Sequence, residues 1–252
     1  MAVAAPSLVV EHEMLAAGAR RIIGIDEVGR GALAGPVAVG VAVWDPGCAG
    51  VPTGLRDSKL MSEAAREAMA PRVVDWVCAS AVGTASAAEI DQYGITRCLA
   101  LAALRALASL PEPEDSWRGS RLLLDGVHDW LSPALRVVAA SADGLFAVEA
   151  DPAGPPWPAL DLVLAASPVS TRPKADRDCA AVAAASVLAK VSRDGQMRVL
   201  AEQVPAYGWA SNKGYGSAEH LAAIAVHGAH VEHRRTWLRE SIPHAQATAT
   251  AG

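Results

Sequence analysis

Positive charge is in short supply: 22 Lys and Arg stand against 27 Asp and Glu in 252 residues, a formal net charge of -5. A protein that coats nucleic acid by bulk charge is thereby excluded, although a local basic face is not. From Val169 onward there are 10 basic and 7 acidic residues, which leaves 12 and 20 before it, so a basic face is expected on the C-terminal part. Cysteine is scarce as well. Cys48, Cys78, Cys98 and Cys179 are widely spaced with no C-x-x-C pair, which argues against a disulfide framework or a thiolate zinc site and fits reduced, buried thiols in a cytoplasmic protein. The opening residues MAVAAPSLVVEHEML lack a cationic leader and run into Glu11 and Glu13, so no secretory signal is expected. No uninterrupted apolar run is long and uncharged enough to span a bilayer, and no internal repeat divides the chain.

What is present is apolar: 52% of residues, with 19% charged, enough for a sizeable core. One domain over residues 1–240 is expected, in a soluble, cytoplasmic monomer, with a disordered tail at 241–252. Two strands come first, Arg21 to Asp26 and Val37 to Trp44, joined by a glycine loop and stopped by Asp45-Pro46-Gly47. Ser62 is placed to cap a helix running to about Val77, followed by a strand to Thr84. Ser86-Ala87-Ala88-Glu89 fits a capping box, and helical spacing continues across Gly94 to about Leu110, where Pro111 and Pro113 end it. A buried strand, Arg121 to Leu124, runs into Asp125-Gly126. Arg177 to about Glu202 reads as one long helix with a small-residue face from Ala180 to Ser186, and Ser217 caps a last helix that ends near Gly228. Strands followed by helices without repeats give an α/β layered fold, a central mixed sheet flanked by helices.

Four carboxylates occupy similar local settings. Asp26 and Glu27 end one apolar strand, Asp125 ends another, and Asp176 precedes the small-residue helix. Each alone reads more readily as a solvated strand end or helix start, and it is the four together that point elsewhere. Brought together at the edge of an apolar sheet they would repel and raise one another's pKa unless hard cations lay between them, and oxygen donors select Mg²⁺ or Mn²⁺ over zinc. Two such ions about 4 Å apart could flank a phosphodiester, one activating water and one steadying the leaving oxygen. A dinucleotide fingerprint does not fit, because Gly29, Gly31 and Gly35 are spaced G-x-G-x-x-x-G and the acids precede the loop. His227, His230 and His233 have a zinc-like H-x-x-H-x-x-H spacing, yet histidines in such loops are more often surface or packing residues.

These residues also carry a resemblance. GIDEVGRGALAGPVAVGVAV from Gly24, DSKLMS from Asp57, EID followed by GI from Glu89, LLLDG from Leu122, KADRDCAAVAAASVLAKVSRD from Lys174, and NKGYGSAEH with HGAHVEHRRTW occur in the order found in type 2 ribonuclease H, ribonuclease HII. The chain resembles that family along nearly its whole length. The resemblance implies an RNase H-like fold, and endonucleolytic cleavage of RNA in RNA/DNA hybrids and at single ribonucleotides embedded in duplex DNA. It also implies two divalent ions, Mn²⁺ or Mg²⁺, with Asp26, Glu27, Asp125 and Asp176 as the metal-binding catalytic acids. The Gly29-Arg30-Gly31 backbone would recognise the ribose 2'-hydroxyl, the group that separates RNA from DNA. Tyr215 would stack beside the ribonucleotide at an RNA-to-DNA junction, its other reading being a ring packed between turn glycines. Lys59, Lys190 and Arg193 are expected to meet phosphates; without the resemblance, Lys190 and Arg193 read as the solvated edge of a helix.

The chain departs from the family pattern in a longer interval between Asp125 and Asp176, which places an insertion at about 128–169, and in Ala175 where the family has glycine. A sister family, ribonuclease HIII, and a catalytically idle hybrid-binding protein are the rival readings. Arg30 within the glycine loop and the four acids argue against them.

Overall fold

Strands covered on both faces lose the alternation of polar and apolar residues. Arg21–Val28 (β1) is buried at every position but Glu27, and Val37–Trp44 (β2) is buried throughout. The computed structural model describes residues 5–111, 117–142 and 154–241. Along them run α1 (Val9–Ala16), β1, β2, a 3-10 turn at Ser58–Leu60, α2 (Glu63–Trp76), β3 (Ala79–Ala85), α3 (Ala87–Tyr93), α4 (Ile95–Ala108) and β4 (Ser120–Asp125). There follow α5 (Ser132–Ala142), α6 (Leu162–Ala165), β5 (Val169–Arg172), α7 (Ala175–Asp178), α8 (Ala180–Gln203), a second 3-10 turn at Pro205–Tyr207, α9 (Trp209–Asn212), α10 (Ala218–His227) and α11 (Arg235–Ser241).

The five described strands form one mixed sheet in the order β3-β2-β1-β4-β5. β1 pairs antiparallel with β2, as β2 does with β3, whereas β1 with β4 and β4 with β5 are parallel. Side-chain alternation then sorts the core into two layers. Ile23, Ile25, Val39, Val41, Leu122 and Leu124 pack with Leu99, Leu101 and Leu104 of α4 on one face. Ile22, Ala42, Trp44 and Leu123 pack with α8 and with Met69, Val73 and Trp76 of α2 on the other. Each such Leu or Ile contributes about 1.5–3 kcal/mol by leaving water.

At two glycines the backbone of α8 meets the strands directly. A Cβ at Gly24 of β1 would fall 2.4 Å from the Ala181 carbonyl carbon, and one at Gly40 of β2 would fall 2.2 Å from the Ala185 carbonyl oxygen. The alanine face of α8 therefore meets glycines, and the helix axis comes as near the sheet as backbones allow.

Several boundaries differ from the sequence expectation because the deciding partner is remote. The expected helix from Arg177 is broken at Cys179, which is extended (φ -110°, ψ 126°), because the N-terminal segment pairs there: Ala180 N–H donates to the Ser7 carbonyl at 3.0 Å. Glu11 of α1 then reaches the first turn of α8, its carboxylate accepting from Ala181 N–H at 2.9 Å. Helical spacing across Gly94 hides a break, since Gly94 takes φ +79° and separates α3 from α4. α11 gives no local start signal, because Asp91 supplies its cap from 144 residues away, accepting from Arg235 N–H at 2.8 Å. The short edge strand β5 closes the segment expected as an insertion, which also carries α5 and α6.

Residues 143–153 of that segment, Pro113, and 242–252 of the expected tail lie outside the described residues. Among the described residues no helix is long and apolar enough to cross a membrane. The expectation of four buried thiols needs correction. Cys98 and Cys179 are buried, whereas Cys48 is half-buried and Cys78 is exposed.

Candidate active site

The parallel pairing of β1 with β4 runs to Ile25 opposite Leu124, so the next residues, Asp26 within β1 and Asp125 at the end of β4, lie on adjacent strands just past the last pair. Asp26 shares the face of Gly24 and points towards α8, where the Ser186 side chain lies near it, and its Oδ1 accepts from Glu27 N–H at 2.8 Å. Ser186 is itself 2.8 Å from the Ser58 hydroxyl. Asp125 Oδ1 accepts from the backbone amides of Ala175, at 2.7 Å, and Asp176, at 3.4 Å, which docks the start of α7 onto the end of β4. Asp176 Oδ2 in turn accepts from Lys59 Nζ at 3.0 Å. Backbone contacts thus tie Asp176 to Asp125, and the pairing of β1 with β4 brings Asp26 and Glu27 to the same region of the sheet, although up to 150 residues of chain separate the four.

Their electrostatics are those of crowded carboxylates. Burial, then the neighbouring Asp125 and Glu27 charges, push Asp26 well above the ordinary carboxylate range, with Ser186 opposing. Burial raises Glu27, with Arg30 opposing and Asp125 adding, and burial followed by the Asp176 charge raises Asp125. Asp26 is 2% exposed, yet its Oδ2 has no hydrogen-bond partner, and neither does the buried Oε2 of Glu27. Buried carboxylate oxygens without donors are costly unless a cation meets them. An all-oxygen donor set with two orphaned atoms fits a hard divalent ion. No three of the four acids place oxygens within 4.8 Å of one another; Asp125 is turned onto amides and Asp176 onto Lys59.

The glycine loop after β1 is fixed from beneath by two arginines. Arg234, fully buried, donates to the carbonyls of Gly29 at 2.7 Å, Arg30 at 2.8 Å and Gly35 at 3.1 Å. Arg193, also fully buried, donates to the carbonyls of Pro36 at 2.8 Å, Lys213 at 2.9 Å and Ala34 at 3.2 Å. Gly29 is required twice over, by φ +85° and because a Cβ there would fall 2.0 Å from Arg193 Nε. At Gly31 the same Cβ would meet nothing within 4 Å, so its open side is a surface. Arg30 is exposed and reaches back to Glu27 Oε1 at 3.5 Å.

Arg193 therefore corrects the sequence reading. It was expected to meet a phosphate, but it is 0% exposed, and its donors are directed to carbonyls that shape the loop. Its guanidinium also lies 5.5 Å from the centre of the Tyr215 ring, which is 39% exposed and so is not packed away between its glycines. Lys190, expected at a phosphate, makes a 2.7 Å ion pair with Asp194 on α8. Lys59 keeps 69% of its side chain exposed beside Asp176. With Arg193, Arg234 and Lys213 buried, the C-terminal excess of basic residues is partly internal and not a basic face.

Residues missed by sequence reasoning are Ser58 and Ser186, while Arg234, read in the His233-Arg234-Arg235 motif as support for a substrate-facing surface, is buried beneath the glycine loop. The signal for Ser186 is the lone hydroxyl in an alanine face. His233 is buried against His220, their Nε2 atoms 3.1 Å apart, with Trp209 Nε1 donating to His220 Nε2 at 3.0 Å. His233, His227 and His230 all pack around the Tyr207 ring, so the histidine spacing reflects packing.

Comparison with known proteins supplies the wider context. A family model described as Ribonuclease HII matches residues 23–116 and 159–240, leaving Asp125 and β4 between the matched segments. A protein of Streptomyces avermitilis called Ribonuclease HII is 40% identical over 233 residues, covering 92% of this chain and 83% of that protein. The crystal structure of ribonuclease H2 from Pyrococcus horikoshii superposes with a TM-score of 0.57 at 24% identity, covering 86% of this chain and 93% of that one. That of Bst-RNase HIII in complex with Mn²⁺ gives 0.58 at 23% identity, covering 88% and 67%. Both structural likenesses concern the fold.

Proposed function

This chain belongs to the ribonuclease HII family, and from that membership we propose that it cleaves RNA within RNA/DNA hybrids and incises duplex DNA on the 5' side of a single embedded ribonucleotide. The observation that carries the reading is the region of the sheet where Asp26 and Asp125 lie on adjacent strands just past the last β1–β4 pair, Asp176 docks on Asp125, and buried oxygens of Asp26 and Glu27 stand without donors. Asp26, Glu27, Asp125 and Asp176 would hold two Mg²⁺ or Mn²⁺ ions, which supply an activated water and neutralise charge developing on the scissile phosphate.

The protein's own groups do the rest. The Gly29-Arg30-Gly31 backbone, held by Arg234 and Arg193, presents an open ledge at Gly31 suited to a ribose 2'-hydroxyl. Tyr215 offers a ring face for the sugar or base at the junction. Lys59 holds Asp176 and leaves most of its own length open to a phosphate. The products would carry a 3'-hydroxyl and a 5'-phosphate, and the setting would be cytoplasmic repair of ribonucleotides in DNA by a monomer.

The test is a duplex with one ribonucleotide, incubated with Mn²⁺ or Mg²⁺ and resolved by length. Cutting on the 5' side of the ribonucleotide, abolished by Asp26→Asn and by Asp125→Asn, is expected. Undiminished cutting by both variants would refute the assignment of the acids, and cutting of long hybrids alone would favour a ribonuclease HIII-like activity.

A further inference from the structure

The turn after β2 and the entry to β3 bring together two thiols that the proposed nuclease chemistry does not use. Cys48 Sγ lies 3.2 Å from Cys78 Sγ although 30 residues separate them. The backbone presets this approach. Cys48 N–H donates to the Asp45 carbonyl at 3.1 Å, and Cys78 N–H to the Val43 carbonyl at 2.9 Å, one residue beyond the pairing of Val43 with Ala79. The Trp76 indole donates to the Ala49 carbonyl at 2.8 Å, pinning the residue after Cys48 to the end of α2.

Chemistry and access agree with the geometry. Among the described residues, Asp45, Cys48 and Cys78 form the one group of three potential ligands within 4.8 Å, so the Asp45 carboxylate stands beside the Cys78 thiol. Cys48 is lowered to about 7 by the hydrogen bond from Cys78, against partial burial, while the same contact and burial push Cys78 up. A thiol titrating near ambient pH is the better nucleophile, and its partner is the natural resolving group. A tetrahedral zinc ion would spread two thiolates to about 3.7 Å, given its bond length of about 2.3 Å, whereas these sulfurs already lie closer at 3.2 Å. Cys98 and Cys179 are buried in the two core layers.

We propose that Cys48 and Cys78 form a reversible disulfide, with a peroxide as the oxidant. The Cys48 thiolate attacks one peroxide oxygen; an S–O bond forms, the O–O bond breaks, and the departing hydroxide is protonated to water, leaving a sulfenic acid. The Cys78 sulfur then attacks the Cys48 sulfur. The S–S bond forms as the S–O bond breaks, and the leaving hydroxide takes the Cys78 proton, with Asp45 placed to pass it on. Two thiols lose two electrons in total, and one hydrogen peroxide becomes two waters. The bond closes the neck of residues 49–77, the segment that carries Ser58 and Lys59 to Ser186 and Asp176.

The full chain, purified under reductant and then freed of it, is treated with hydrogen peroxide and mapped by mass spectrometry beside a thiol count. Expected are the loss of two thiols, a Cys48–Cys78 peptide pair lighter by two hydrogens, full reversal by dithiothreitol, and a melting temperature raised by about 5–10 °C while oxidised. Cys48→Ser should slow peroxide consumption roughly tenfold. Cys78→Ser should leave a sulfenic acid at Cys48 that a cyclic diketone traps. No thiol loss, bonds to Cys98 or Cys179, or one tightly held zinc per chain that shields both thiols would each overturn the proposal. None of these readouts depends on cleavage of nucleic acid, so the nuclease reading can fail or stand separately.

Discussion

The guanidinium of Arg234 donates to the carbonyl oxygen of Gly29 at 2.7 Å across 205 residues of chain. A second nitrogen of the same side chain reaches the Arg30 carbonyl at 2.8 Å, so one rigid fork sets the orientation of consecutive peptides in the loop. Burial holds Arg234 below its ordinary value, at about 9, so it remains charged at neutral pH. A lysine supplies one point of contact in place of the fork. Arg234→Lys is expected to lose hydrogen bonds worth about 1.5–3 kcal/mol, and kcat/KM on a single-ribonucleotide duplex should fall roughly 10- to 100-fold. Circular dichroism should show retained secondary structure; unchanged kinetics would show that the loop does not need the fork.

Crowding of the acids makes a prediction about stability and metal together. A carboxyl whose pKa is raised on folding favours the folded state while protonated. That contribution is full below the ordinary carboxylate range and is lost as pH rises through the raised value. Asp26 is raised in this way, so in chelator the wild type should lose melting temperature relative to Asp26→Asn as pH rises above the ordinary carboxylate range. Mn²⁺ at a hundredfold excess over its dissociation constant should return about 2.7 kcal/mol to the wild type and much less to the variant. Equal responses of the two proteins in a thermal scan would place the ions elsewhere.

Tyr215 is open to solvent on one side and faces Arg193 at 5.5 Å on the other. Stacking on such a ring is worth about 1–3 kcal/mol, so Tyr215→Ala should slow incision at a lone ribonucleotide by roughly 5- to 150-fold. Uniform RNA/DNA hybrid should be affected less. Tyr215→Phe should keep most of the activity on both. Parallel losses on the two substrates would argue against a junction role.

The paired histidines set an acid limit. His220 Nδ1 lies 2.9 Å from the Tyr215 carbonyl and His233 Nδ1 accepts from His230 N–H at 2.9 Å, so His233 Nε2–H donates to His220 Nε2 and neither ring has room for a further proton. Burial, then the His220 charge, lowers His233 to about 4. Below about pH 6.5 the unfolded chain takes up a proton that the folded one refuses, so stability falls as pH drops from there towards about 4. The loss attributable to His233 should approach about 3 kcal/mol. Denaturant titrations across that range would measure it, and His233→Gln should flatten the slope.

Local grammar made much of this structure readable in advance. Ser62 caps α2, Ser86 and Glu89 complete their box, and Ser217 caps α10, all within a few residues of their partners. Asp125 could be placed at a strand end because its apolar run stops there, whereas β1 continues past Asp26 and Glu27 to Val28, held by its pairing with β2. Elements fixed from afar were not readable: α11 depends on Asp91, the break at Cys179 on Ser7, and the start of α8 on Glu11. The same distinction explains Arg193. A cation on a helix looks available to a phosphate until the fold brings the Pro36, Ala34 and Lys213 carbonyls to it. The Ala175 position, glycine in the resembling family, needs no such freedom, because the left-handed residue is the preceding Lys174, at φ +61°.

The contact of Gly24 with Ala181 fixes more than packing. With backbone against backbone at this point nothing there can yield, so the spacing of β1 and α8 beside Asp26 and Ser186 is set where the two main chains touch. A single methyl group at position 24 would act as a shim, lifting the helix and pulling Ser186 away from Asp26 without altering either residue.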